Sequence, residues 1–144
     1  MKRVWIAGGT GYIGSATVAA ARAAGLQPVV LTRSRDKAVE LQKGGVEVVI
    51  GDLLQPGPWV SEVRCDAAVF VAAPPSWGKR VSTRVATTFG VGLAAMSRSF
   101  FGALEGKSVE RVVYIAGTSF YGDAGDGDGL AGAGILVGEG GGRV

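Results

Sequence analysis

The chain has 144 residues, 47% of them hydrophobic and 19% charged, which suits one domain with its own core and excludes a disordered chain. Its net charge of +3 comes from scattered basic residues, with no run dense enough to grip nucleic acid or a membrane surface. Histidine is absent and Cys65 is the one cysteine, which excludes an intramolecular disulfide, His-assisted nucleophiles and His-ligated zinc.

The short apolar run 4–7 predicts a buried parallel strand. The alanine-rich residues 12–24 predict a helix closed by Gly25 as its C-cap, and residues 28–31 a second strand. Ser34 reads as the N-cap of a helix reaching Lys43, with Gly44 and Gly45 after it. A third strand over 46–50 leads into a short helix or irregular connection over 56–63. A fourth strand over 67–71 is stopped by Pro74 and Pro75. Residues 83–104 carry a helical pattern weakened by Gly90, Gly92 and Gly102, and residues 111–116 form a fifth strand.

Apolar strands alternating with helices predict an α/β fold: a doubly wound parallel sheet of order 3-2-1-4-5 between two helical layers. Its ligand crevice belongs at the carboxyl ends of strands one and four. Residues 122–144 are so rich in glycine that they read as a flexible tail. Asp123, Asp126 and Asp128 have a calcium-loop spacing, but no glutamate stands at the twelfth position and no helices flank them, so no metal is expected. No apolar run reaches the roughly 20 residues that span a bilayer, and no signal peptide is visible, so the expected location is cytoplasmic.

The segment Gly8-Gly9-Thr10-Gly11-Tyr12-Ile13-Gly14 follows the first strand and opens the first helix. That is the setting in which G-x-G-x-x-G holds a dinucleotide. The early glycines let the backbone turn and approach phosphates, Gly14 lets the helix pack close to the strand, and the helix N-terminus offers N–H groups to a pyrophosphate. The alternative is a plain strand–helix turn with incidental glycines.

An NAD-preferring site carries an acid at the end of strand two. This chain has Leu31-Thr32-Arg33-Ser34-Arg35 there, with Asp36 only further on. Arg33 and Arg35 offer forked cationic donors suited to a 2′-phosphate, which favours NADP while leaving NAD open; otherwise they are ordinary surface arginines. Ser34 caps the helix, contacts that phosphate, or does both. After strand three, Asp52 is placed to accept from an adenine amino group while Leu53 covers the ring, unless Asp52 simply caps a loop. After strand four, Ala72-Ala73-Pro74 leaves room for the ribose and nicotinamide half, unless small residues merely end the strand.

These segments, with Arg111-Val-Val-Tyr-Ile-Ala-Gly-Thr-Ser-Phe-Tyr-Gly-Asp123, resemble the short-chain dehydrogenase/reductase superfamily over residues 2–123. The closer likeness is to its extended or atypical group of epimerases and dehydratases. The resemblance implies a Rossmann domain over residues 1–121, a dinucleotide cofactor, and oxidoreductase chemistry on a small carbonyl or sugar-nucleotide substrate. It allows a homodimer through the helix that starts near Thr83.

The family's chemistry uses a Ser or Thr after strand five and a Tyr-x-x-x-Lys pair whose lysine tunes the tyrosine. Here Tyr12, Tyr114 and Tyr121 are followed four residues on by Ala16, Thr118 and Gly125, and no lysine follows Lys107. The pair is absent. Aligned on Tyr121-Gly122, the family's serine falls at Gly117, and the neighbouring Thr118 and Ser119 either substitute for it or are turn-forming hydroxyls. The family continues with a further strand and a substrate lobe, so the likeness implies a chain truncated after its fifth strand. Three readings stay open: an oxidoreductase-type domain, a non-catalytic NADP(H)-binding sensor, and a non-functional fragment.

Overall fold

The computed structural model describes residues 2–75 and 82–116. Among them, strands β1 (Arg3–Ala7), β2 (Gln27–Thr32), β3 (Glu47–Ile50), β4 (Ala67–Phe70) and β5 (Arg111–Tyr114) alternate with helices. The helices are α1 (Tyr12–Ala23), α2 (Arg35–Lys43), α3 (Trp59–Glu62) and α4 (Thr83–Leu104). The strands form one parallel sheet in the order β3-β2-β1-β4-β5, the doubly wound order that the alternation predicts. The chain starts at the centre of the sheet, winds out to β3, then crosses back to build β4 and β5. β4 and β5 stop short of their predicted ends. Even so, Val71 N–H still donates to the Ala7 carbonyl at 2.9 Å and Ile115 N–H to the Phe70 carbonyl at 3.0 Å.

The central strands β1 and β2 are almost wholly apolar and buried because both faces of the sheet are covered there. Val4, Ile6 and Val30 belong to one buried cluster with Val18 and Ala21 of α1. Trp5, Ala7, Val29, Leu31, Ala68 and Phe70 belong to the other, with Trp59 of α3 and Met96, Phe100 and Ala103 of α4. Successive residues of β1 thus serve opposite layers, as the two-residue period of a strand requires. In the second cluster the Trp5 ring stacks on Phe100 with centroids 4.8 Å apart, and Phe100 meets Phe70 edge-on at 5.2 Å.

Two helix ends follow from local chemistry. Ser34 caps α2, its hydroxyl accepting from Lys37 N–H at 3.3 Å. At the end of α1 the C-cap is Ala24 rather than Gly25. Gly25 stands one residue beyond, at φ +72°, where the left-handed turn out of the helix needs a residue without Cβ.

α4 runs unbroken for 22 residues despite its three glycines. An added Cβ would meet nothing at Gly90 or Gly102, and at Gly92 it would press on Pro74 at 3.2 Å. Each glycine costs about 1 kcal/mol of helix propensity. Burying Phe100 returns about 1.5–3 kcal/mol, and Met96 and Ala103 are buried beside it, so packing offsets the cost in propensity.

At the amino edge of the sheet, Lys107 Nζ donates to the carbonyls of Val60 and Val63, at 2.8 and 2.7 Å. It ties the turn after α4 to the end of α3. Beside it is a hollow of about 310 Å³ lined also by Ser61, Arg64 and Cys65. Burial pushes the Cys65 thiol up, against the pull of the Lys107 ammonium, and burial likewise lowers Lys107. At the other end of the sheet order, Val112 and Val113 of β5 are exposed. Among the described residues no helix is long and apolar enough to cross a membrane, and no cluster of side chains fits a metal ion. Asp123, Asp126 and Asp128, like all of residues 122–144, lie outside the described residues.

Replacing Phe100 with alanine removes the ring that joins Trp5 to Phe70. We expect Phe100→Ala to cost about 3–5 kcal/mol of unfolding free energy in urea titration.

Candidate functional site

The glycine loop sits where β1 gives way to α1. Gly8 adopts φ +95°, and a Cβ there would stand 2.7 Å from both the Cα and the amide nitrogen of Ala72. Only glycine meets both demands. The close approach follows from the pairing of Ala7 with Phe70, which carries the two strand ends forward side by side. Gly11 N–H then donates to the Gly8 carbonyl at 3.0 Å and closes the turn.

Gly14 serves the same turn from the helix side. Its Cβ would overlap the Gly8 carbonyl, so its absence lets α1 pack on the loop itself, where the sequence suggested packing on the strand.

Gly11 is different. It has φ −82°, and an added Cβ would meet only the Gly8 carbonyl, at 3.4 Å. Nothing within the described protein requires a glycine there. Gly11 is exposed at the N-cap, beside the first turn of α1. That turn has no side-chain cap and no acidic residue, and its leading N–H groups have no intrahelical acceptor. Tyr12 is 95% exposed and Ile13 is also exposed, flanking the same turn. An outward cradle of N–H groups at the positive end of a helix, kept clear of Cβ atoms, fits an anionic diphosphate.

The other candidate residues lie on the same carboxyl edge. The backbone of Gly51 donates to the Thr32 carbonyl at 3.0 Å, which brings the ends of β2 and β3 together. Arg33 Nη1 consequently lies 3.8 Å from Asp52 Oδ2. The other carboxylate oxygen of Asp52 accepts from Leu54 N–H at 2.9 Å. Arg35 is exposed, whereas Ser34 is half-buried and its hydroxyl is engaged in the α2 cap. Ser34 N–H in turn donates to the Thr32 hydroxyl at 3.2 Å.

Leu53 is 5% exposed and packs in the core cluster with Trp59, leaving little of its side chain to lie on a ring. After β4, Ala72 is half-buried, Ala73 exposed, and Pro74 buried against Gly92 of α4. Thr10 is exposed at the crest of the glycine loop, between Gly9, whose Cβ would meet the Val30 side chain, and Gly11. Thr118 and Ser119 lie outside the described residues.

The structure therefore gathers the glycine loop, Arg33, Asp52 and the Ala72–Ala73 segment onto one edge of the sheet. The Arg33–Asp52 pair is the relation that reading the residues singly overlooks. Its signal was present: in the order 3-2-1 the ends of strands two and three are neighbours.

A strand, glycine turn and helix at the switch point of a 3-2-1-4-5 sheet define a dinucleotide-binding Rossmann domain. The chain belongs to the NAD(P)H-binding family, whose model matches residues 8–131, and its fold is that of the short-chain dehydrogenase/reductase proteins. No curated protein matches it. Among solved structures it is similar to UDP-N-acetylglucosamine 4-epimerase from Bacillus cereus, at 23% identity and TM-score 0.60 over 85% of this chain and 39% of that one. It is similar to a short-chain dehydrogenase/reductase superfamily protein from Agrobacterium tumefaciens with bound NAD, at 21% identity and TM-score 0.64 over 84% of this chain and 34% of that one. It also resembles Gre2 from Candida albicans in complex with NADPH, at 20% identity and TM-score 0.65 over 79% of this chain and 36% of that one. These likenesses concern the fold, and the chain spans 34–39% of the length of those three structures.

The two helix-side glycines separate structure from binding. We expect Gly14→Ala to lower stability by about 3 kcal/mol or more, because the clash is with backbone, and Gly11→Ala to change it by less than about 1 kcal/mol. Thermal unfolding of the two variants checks this.

Proposed function

We propose that this chain binds NADP(H) in preference to NAD(H), on the carboxyl edge between β1 and its neighbours. The observation that carries the reading is the cradle at Gly11, open to the outside and required by nothing inside. Gly8 through Gly14 would hold the pyrophosphate, with Gly9 and Thr10 shaping the turn. Arg33 and Arg35 would take the 2′-phosphate, Arg33 because it stands 62% exposed at the tip of β2 and Arg35 because it opens α2 from the same side. Asp52 would accept from the adenine amino group. Ala72, Ala73 and Pro74 would border the ribose and nicotinamide half. The bound nicotinamide supplies hydride chemistry; the chain's own residues bind and orient it.

Arginine suits a 2′-phosphate because its planar fork matches phosphate oxygens and keeps its charge. No acid stands at the tip of β2 to claim a free 2′-hydroxyl. The reaction class that the fold suggests is that of epimerase- or reductase-type oxidoreductases, acting on a carbonyl or sugar nucleotide. Support for that class comes from the sugar-nucleotide epimerase and the NADPH-bound Gre2 among its structural relatives.

A second reading concerns this chain alone. No tyrosine in it is followed four residues on by lysine. Thr118 and Ser119 carry hydroxyls, but no lysine or arginine follows them in sequence before Arg143. A binding domain that holds NADP(H) without turning over fits that sequence best.

Calorimetric titration tests the cofactor assignment. NADP is expected to bind more tightly than NAD, and Arg33→Ala to weaken NADP by about tenfold while leaving NAD within about twofold. NADP binding unchanged in Arg33→Ala would remove the 2′-phosphate role. Gly11→Ala is expected to lose at least about tenfold for both dinucleotides with its fold intact. Steady NADPH oxidation by the isolated chain with a carbonyl substrate would contradict the non-catalytic reading.

A further inference from the structure

We propose that Asp52 sets how strongly the site distinguishes NADP from NAD, by acting as the counter-charge that Arg33 must leave to bind a 2′-phosphate. The inference rests on the assignment of Arg33 to that phosphate.

The two partners are unequal. Asp52 is anchored: Oδ1 accepts from Leu54 N–H at 2.9 Å, and the residue pairs with Gln55 in an isolated antiparallel bridge. That turn is itself clamped, because Trp59 Nε1 donates to the Gln55 carbonyl at 3.0 Å and the Trp59 ring fills the space that Gly51 leaves free. The Asp52 side chain is 25% exposed, whereas that of Arg33 is 62% exposed. A fixed carboxylate with one oxygen still free thus faces a long, solvated guanidinium 3.8 Å away. Arg35 makes no ion pair among the described residues, so the neutralisation falls on Arg33 alone.

A loose, solvated ion pair of this kind is weak and readily exchanged. A 2′-phosphate must displace the carboxylate from Arg33 and then remain near a like charge. NAD carries a neutral 2′-hydroxyl and meets neither obstacle. Asp52 therefore weighs against NADP specifically. If Asp52 also accepts from the adenine amino group, that contribution is common to both dinucleotides and cancels in their ratio.

The test is calorimetry on the 144-residue chain with NADP and NAD. Wild type, Asp52→Asn, Arg33→Ala and the double variant are compared by the ratio of the NAD to the NADP dissociation constant. Asparagine keeps the acceptor for Leu54 N–H and removes only the charge; Asp52→Ser, which keeps a shorter acceptor, guards against misfolding of either variant. Asp52→Asn and Asp52→Ser are expected to raise the ratio about threefold to tenfold, and to raise it less in about 0.5 M salt. With Arg33 already replaced, the further change to asparagine is expected to move the ratio by less than about twofold. A ratio that falls or stays level in Asp52→Asn, while Arg33→Ala lowers it, sinks the counter-charge role and leaves the Arg33 assignment standing. A ratio unmoved by Arg33→Ala overturns the assignment, and this proposal with it.

Discussion

Between Gly8 and Ala72 there is room for backbone and nothing else. The left-handed conformation at Gly8 and its contact with the end of β4 are one constraint, and the rest of the carboxyl edge is arranged around it. The turn closes through Gly11 N–H on the Gly8 carbonyl, and Gly14 seats α1 on that same carbonyl's peptide. The helix start, its uncapped N–H groups and the segment leaving β4 are thereby held in a fixed relation. A side chain at Gly8 would separate two central strands as well as spoil a turn.

The sheet supplies what that turn needs on either side. β1 is central, so its end is flanked by β2 on one side and β4 on the other. The β2 side carries charge: Arg33, with Asp52 brought in by β3. The β4 side carries small residues, Ala72 and Ala73, with Pro74 buried beside Gly92 of α4. The two sides of the edge thus differ in both charge and bulk.

Much of this was legible in the residues. The strand order followed from apolar runs alternating with helical ones, because covered parallel strands need no polar face. The span of α4 was legible too, although its glycines argued against it; three residues spaced along one helical face, Met96, Phe100 and Ala103, decided the matter. Side-chain destinations were harder. Leu53 is as apolar in the core as it would be against a ring, and only the packing of Trp59 shows which it does. The Arg33–Asp52 relation joins residues 19 positions apart in sequence, and no local pattern marks it. Gly25 illustrates a finer loss: its residue type announced a helix end, but the cap lies one position earlier, where φ is ordinary.

α4 is anchored unevenly. Its buried residues, Met96, Phe100 and Ala103, all fall in its second half, while residues 83–91 are exposed or only half-buried. The helix is therefore held more firmly along its second half than along its first. Its amide protons should exchange with solvent in a gradient, quickly near Thr83 and slowly near Phe100, so that a single helix spans both a local opening and the global one.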